Sequence, residues 1–239
     1  MPQTPTRPEL ILALFLAASL LPGCGRGKSA EGTMGPPGNG EPVSIGRGLY
    51  RGALNGRQGL LFFAASAAAM TLVYDTARCG LYMAWRGPVP GNASATDSAY
   101  VPQGPLYHLQ EADTLWHVDA GGETLPLKPM FLGFEQDSLG YLILRYSLDL
   151  PGGKTLRVEE HPAYDDHYGD IALRREFTFS GLQPGMTASV RLGGKSFTWK
   201  ELWSQSADGS LAGTPGEETL TLSEDGVADV KLTFEGSAL

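Results

Sequence analysis

The sequence predicts an all-β fold, an antiparallel β-sandwich or its enlarged supersandwich form, behind a disordered N-terminal tether. Three observations lead there. From Leu49 onward apolar residues recur with a period of two, the mark of strands with one face on a core. Turn signals interrupt them at short intervals: Pro151-Gly152-Gly153, Pro184-Gly185, Gly193-Gly194, Ala207-Asp208-Gly209 and Glu224-Asp225-Gly226. Helical patterning is scarce, and short strands with frequent turns build sandwiches. With 239 residues, 42% of them apolar and 18% charged, the chain can bury a sizeable core.

The N-terminal segment reads as an address. Leu10 to Leu21, LILALFLAASLL, carries no charge. It is too short to cross a bilayer as a helix, which takes ~20 residues, and has the length of a signal-peptide apolar region. The preceding positive region is weak, since Arg7 is offset by Glu9. Leu21-Pro22-Gly23-Cys24 resembles the lipobox of bacterial lipoproteins, an aliphatic residue, a tolerated one, a small one and then Cys. The resemblance implies a signal peptide over 1–23, cleavage before Cys24 and acylation of the Cys24 sulfur. Each buried CH₂ contributes ~0.8 kcal/mol, so two or more chains anchor firmly. Gly25 follows the Cys where Asp would retain a lipoprotein at the inner membrane. The expected location is the cell envelope, at the outer membrane, facing the periplasm or the cell surface.

Residues 24–48 are rich in glycine, hold Pro36, Pro37 and Pro42, and have few bulky apolar residues. Such a stretch buries no core and reads as a passive spacer. About twenty residues of this kind span roughly 25 Å root-mean-square. Residues 49–239 form the sandwich domain.

Its strands follow in order. Met70, Leu72 and Tyr74 face one way, and Thr71, Val73 and Asp75 the other; Leu81, Met83 and Trp85 repeat the pattern on a single face. The run Leu139 to Leu148 is apolar on both faces and reads as a strand covered on two sides. Leu156, Val158 and Glu160 alternate with Thr155, Arg157 and Glu159. Alternation continues through Ile171–Phe179, Ala188–Leu192, Leu220–Leu222 and Val230–Phe234. Trp199, Leu202 and Trp203 have the i, i+3, i+4 spacing of one helical turn.

Several short motifs carry a second resemblance: Arg51-Gly52-Ala53-Leu54-Asn55-Gly56-Arg57, the block from Tyr74 to Gly87, Leu144-Arg145-Tyr146, Val158-Glu159-Glu160 and Arg175-Glu176-Phe177. Through them Arg51 to Leu192 resembles a β-rich domain of secreted planctomycete and Bacteroidetes proteins. There it precedes c-type cytochrome modules or sugar-dehydrogenase-like propellers. The resemblance implies a sandwich and an association with sugar-processing lifestyles. No Cys-x-x-Cys-His occurs in the chain, so electron transfer is not carried over and no cofactor is expected.

Charge and motifs narrow the function. Eighteen Lys+Arg against 26 Asp+Glu give −8, which argues against nucleic acid as a partner. Two Cys exclude a disulfide scaffold or a Cys-rich metal site; Cys79 is expected buried beside Leu81. The densest polar stretch, Glu159 to Asp170, contains His161, Tyr164, Asp165, Asp166 and His167. It reads as a solvated turn between two strands, with no metal-binding spacing.

Sugar binding needs an aromatic plane near hydrogen-bonding groups. Trp85, Trp116, Trp199 and Trp203 supply planes, and Tyr74, Asp75, His108, Glu160 and Asp166 supply partners. The binding candidates are Trp116, His108, Glu160, Tyr164, Asp166 and Trp203, with Trp116 and Trp203 expected to be more exposed than Trp85. The function expected is a membrane-anchored binding module for a glycan or a partner protein. The alternative is a carbohydrate-active enzyme, of hydrolase or epimerase type, pairing His108, His117 or His161 with a carboxylate such as Glu160 or Asp166. No catalytic residue is assigned. A purely structural lipoprotein, the third reading, predicts a surface with no aromatic-lined groove.

Overall fold

The computed structural model describes residues 43–65, 69–90, 100–102, 104–137, 139–167, 170–194, 199–204, 209–212 and 217–234. Cys24 and the segment read as a signal peptide lie outside them. The described chain is all-β and antiparallel, with seventeen strands in three sheets. Among these residues no helix is long and apolar enough to cross a membrane.

The first six strands are β1 (Val43–Gly46), β2 (Leu49–Leu54), β3 (Arg57–Ala65), β4 (Met70–Asp75), β5 (Gly80–Arg86) and β6 (Leu106–Leu109). They form a meander sheet in chain order. The sheet therefore begins at Val43, inside the segment that composition assigns to the spacer, because Val43 and Ser44 pair with Arg51 and Tyr50. Between β2 and β3 the pair Leu54–Arg57 is closed by Asn55-Gly56, at φ 53° and 75°. Two positive φ values in a two-residue loop match the twist of a hairpin, which Asn-Gly favours.

The next strands are β7 (Trp116–Ala120), β8 (Glu123–Pro126), β9 (Pro129–Gln136), β10 (Leu142–Leu150), β11 (Lys154–His167) and β12 (Asp170–Ser180). The last are β13 (Met186–Arg191), β14 (Trp199–Ser204), β15 (Gly209–Ala212), β16 (Thr219–Leu222) and β17 (Gly226–Phe234). A six-stranded central sheet has the order β14-β17-β12-β11-β10-β9, and a smaller sheet the order β15-β16-β13-β7-β8.

Alternation sorts the central sheet into two faces. Leu144, Tyr146 and Leu148, then Leu156, Val158 and Glu160, then Leu173, Arg175, Phe177 and Phe179, then Ala228, Val230 and Leu232 point inward and are buried. One continuous core takes the apolar members of this set together with Leu61, Leu72 and Tyr74 of the meander and Trp116, Val118, Val190 and Leu220 of the small sheet. The opposite face is ionic. Arg145 bonds Glu135 at 2.8 Å and Glu159 at 3.3 Å, and Arg174 bonds Asp229 at 2.6 Å and Glu176 at 3.4 Å.

Four expectations are corrected. Glu159 to His167 is strand, not turn: β11 pairs with β12 along its length, out to His167–Asp170. Trp199, Leu202 and Trp203 lie on β14, paired with β17, not on a helical turn. The run read from Leu139 starts its strand only at Leu142, and Leu139 and Tyr141 are exposed in the preceding turn. Leu81 does not share a face with Met83 and Trp85. The register slips between Val73–Met83 and Tyr74–Leu81, and one extra residue, Tyr82, reverses the facing. Leu81 thus joins the main core, while Tyr82, Met83 and Trp85 form a second cluster with Leu60 and Phe62. Tyr100 caps that cluster, its ring 5.5 Å from Trp85.

Candidate functional site

The sequence candidates Glu160 and His108 sit inside the protein. Glu160 and Arg175 lie diagonally on adjacent strands, since Glu160 faces Phe177 and Arg175 faces Pro162 across the ladder. Arg175 Nε donates to Glu160 Oε1 at 2.7 Å, and the Tyr146 hydroxyl donates to Oε2 at 3.0 Å. The guanidinium lies 4.9 Å from the Phe177 ring centre and 6.0 Å from that of Tyr74, so the pair reaches across to the meander sheet. Burial, then the Glu160 charge, pushes the Tyr74 and Tyr146 phenols well above their ordinary range, so both stay protonated. Burial opposes the charge on Arg175, but the nearby Glu160 overrides it and the guanidinium stays ionised. His108, on β6, is driven down to about 3 by burial and by the Arg175 charge, against a backbone hydrogen bond at Leu81. It is a neutral imidazole at neutral pH.

This arrangement braces two sheets. The gap that the structure outlines beside it, between Tyr74, Cys79, Phe131 and Tyr146, holds about 10 Å³, roughly one water. Glu160 is fully buried, with one carboxylate oxygen accepting from Arg175 and the other from Tyr146.

Trp116 is 0% exposed, against the expectation of a solvent-facing plane. Its Nε1 donates to the Cys79 carbonyl at 3.0 Å, and its ring meets Tyr146 and Phe179 edge-on at 5.5 and 6.4 Å. Trp85 and Cys79 are buried, Cys79 as an unbridged thiol that burial pushes up. Asp75 is buried too. Its Oδ2 bonds Arg78 at 2.7 Å and Arg57 at 3.4 Å, its Oδ1 accepts the Ala77 and Arg78 amides, and the two guanidinium groups flank Tyr82. The histidines fall on three sheets: His108 on β6, His117 on β7, His161 and His167 on β11. His161 faces the ionic side, 3.8 Å from Glu159. Tyr164, Asp166 and His167 lie on β11 and Trp199 and Trp203 on β14, and their side chains lie outside the described residues.

An open, aromatic-lined cleft lies elsewhere. A cleft of about 540 Å³ lies between Arg47, Tyr50 and Phe63 on the meander sheet, Leu139 and Tyr141 before β10, and Pro162 on β11. Gln136 builds it. Its Oε1 accepts the Arg47 amide at 2.8 Å, and its Nε2 donates to the Arg47 and Gly140 carbonyls at 2.7 and 3.0 Å. Asp137 shapes the facing turn, its Oδ1 accepting the Leu139 and Tyr141 amides at 2.9 and 2.8 Å. These bonds fix a short turn whose apolar side chains stand in solvent, Leu139 at 72% and Tyr141 at 59% exposure. Among the described residues, Arg47 is the one charged group lining the cleft. A second cleft, about 290 Å³ between Arg78, Asp113, Leu115 and Lys128, has no aromatic residue in its described lining.

None of the cleft's residues figures among the sequence candidates. The available signal was Asp137 two and four residues before apolar Leu139 and Tyr141, a side-chain-capped turn presenting apolar groups. Compared with protein families, curated proteins and solved structures, the chain matches none.

Proposed function

We propose that this chain is a lipid-anchored binding module of the cell envelope, holding a saccharide in the cleft between Tyr50, Phe63 and Tyr141. The anchoring half rests on Leu21-Pro22-Gly23-Cys24 and the Gly/Pro spacer after it. The binding half rests on one observation: a rigid turn holds an aromatic ring and an aliphatic side chain in solvent beside two further rings. Sugar rings offer C–H faces that stack on such planes, with hydroxyls directed to the rim. Pro162 and Ala163 line the cleft, and Tyr164 and Asp166 continue the same strand. The interior placement of Glu160 and His108 favours binding over the hydrolase or epimerase alternative.

Two measurements test the two halves. Cys24→Ala should move the protein from the membrane fraction to the soluble one and abolish fatty-acid labelling. An unlabelled wild type would remove the anchor. Polysaccharide pull-down should retain the wild-type protein, with Tyr141→Ala losing about tenfold in affinity for a stacked ring. Equal retention of the variant would move the site away from this cleft.

A further inference from the structure

We infer that the saccharide bound in this cleft carries a carboxylate, as a uronate does, and that Arg47 receives it. The inference rests on the saccharide reading above and goes further by naming the ligand's charge.

Among the described residues, Arg57, Arg78, Arg145, Arg174, Arg175 and Arg191 each pair with an Asp or Glu. Arg47 does not. Its backbone N–H and C=O are taken by Gln136, which fixes the Cα while leaving the guanidinium without an acidic partner among those residues. The side-chain stem passes Gly140, where a Cβ would lie 3.4 Å from Arg47 Cδ. That is ordinary van der Waals contact; what favours glycine at position 140 is its backbone, at φ 92°. No acid stands among the described lining residues, although the chain as a whole carries −8. A cation at the rim of a ring-lined cleft, with no acidic partner among the described residues, selects one anionic group beside an apolar face. A guanidinium meets a carboxylate with two parallel hydrogen bonds. The overall negative charge disfavours a long polyanion. The ligand that fits is an otherwise neutral oligosaccharide with a single acidic sugar.

The test uses the full-length protein in detergent micelles and a matched pair of probes. One is a xylo-oligosaccharide bearing a single glucuronate; the other is the same molecule with its carboxyl reduced to the alcohol. Isothermal titration should show the acidic probe binding about tenfold more tightly. The preference should shrink as ionic strength rises from about 0.05 to about 0.5 M. In Arg47→Gln the preference should vanish, the two probes then binding alike, since the Gln136 bonds use only the backbone of residue 47 and keep the frame of the cleft. Equal affinity of the wild type for both probes overturns the carboxylate inference and leaves the saccharide reading standing. A preference that survives Arg47→Gln overturns the role of Arg47. Binding of neither probe, with Tyr141→Ala also silent in the pull-down, overturns the saccharide reading and this inference with it.

Discussion

Glu160 and Arg175 form an ion pair with no access to water, so each is the other's counter-charge. Removing one partner leaves a buried charge. Glu160→Gln should therefore cost about 3–5 kcal/mol in urea unfolding. The double variant Glu160→Leu with Arg175→Met should recover most of that loss, because a matched apolar pair needs no desolvated charge. Alternation with Leu156 and Val158 already places Glu160 on the core face. Its partner is hidden in the sequence, because Arg175, fifteen positions on, becomes a neighbour only through the register of β11 and β12. His108 adds a pH dependence. In the folded chain it stays neutral down to about pH 3, whereas the unfolded chain protonates it near 6.5. Between these values the unfolded state binds the extra proton, so stability falls as pH drops from about 6.5 towards 3 and is unaffected above that window. The urea midpoint of His108→Gln should fall less than that of the wild type between pH 7 and pH 4. Parallel curves would show that the imidazole is not the group responsible.

At the scale of elements, the turns separate backbone preference from side-chain work. Ala69 and Asn55 both have positive φ, 49° and 53°. Ala69 is exposed, and left-handed geometry costs a side-chain-bearing residue ~1–2 kcal/mol. Glycine's greater unfolded-state freedom offsets about half of that gain, so Ala69→Gly should raise stability by about 0.5–1 kcal/mol. Asn55→Gly should lower it by about 1–2 kcal/mol. There the side chain accepts the Tyr100 amide at 2.5 Å and donates to the Tyr82 hydroxyl at 3.0 Å, tying the segment after β5 over the second cluster. Thermal denaturation of the two variants side by side checks the opposite signs. Strand existence was legible from alternation, as β4, β12, β13 and β17 attest. Three features were not. Charge density disguised β11 as a loop, although in-and-out alternation continues through Glu159, Glu160, His161 and Pro162. The bulge at Tyr82 leaves no trace in an alternation count. Gly193-Gly194 reads as a turn, but a Cβ at Gly194 would run into the Leu109 carbonyl and one at Gly193 into the Glu218 backbone. These glycines permit close approach of neighbouring chain segments.

At the scale of the molecule, the candidate site assembles from three separated stretches, around residues 47–65, 139–141 and 162–163. None carries a motif alone. Only the placement of the meander sheet against the end of the central sheet brings them together, and sequence periodicity says nothing of sheet-to-sheet placement. The same architecture gives the start of the body a structural value that composition conceals. A chain shortened to begin at Leu49 loses the β1–β2 pairing and both backbone bonds to Gln136, and exposes the edge of β2. It should melt several degrees lower than a chain beginning at Val43 and associate more readily. Equal melting temperatures would assign β1 no role in the fold.

The latch between Gln136 and residue 47 also has a mechanical consequence. A tug on the polypeptide upstream of Val43 enters at the open end of the first hairpin, where rungs give way in succession rather than all at once. Peeling that ribbon would carry off Arg47 and Gly48 and then Leu49 and Tyr50, so tension there would take apart one wall of the cleft as it drew the first residue out of the core.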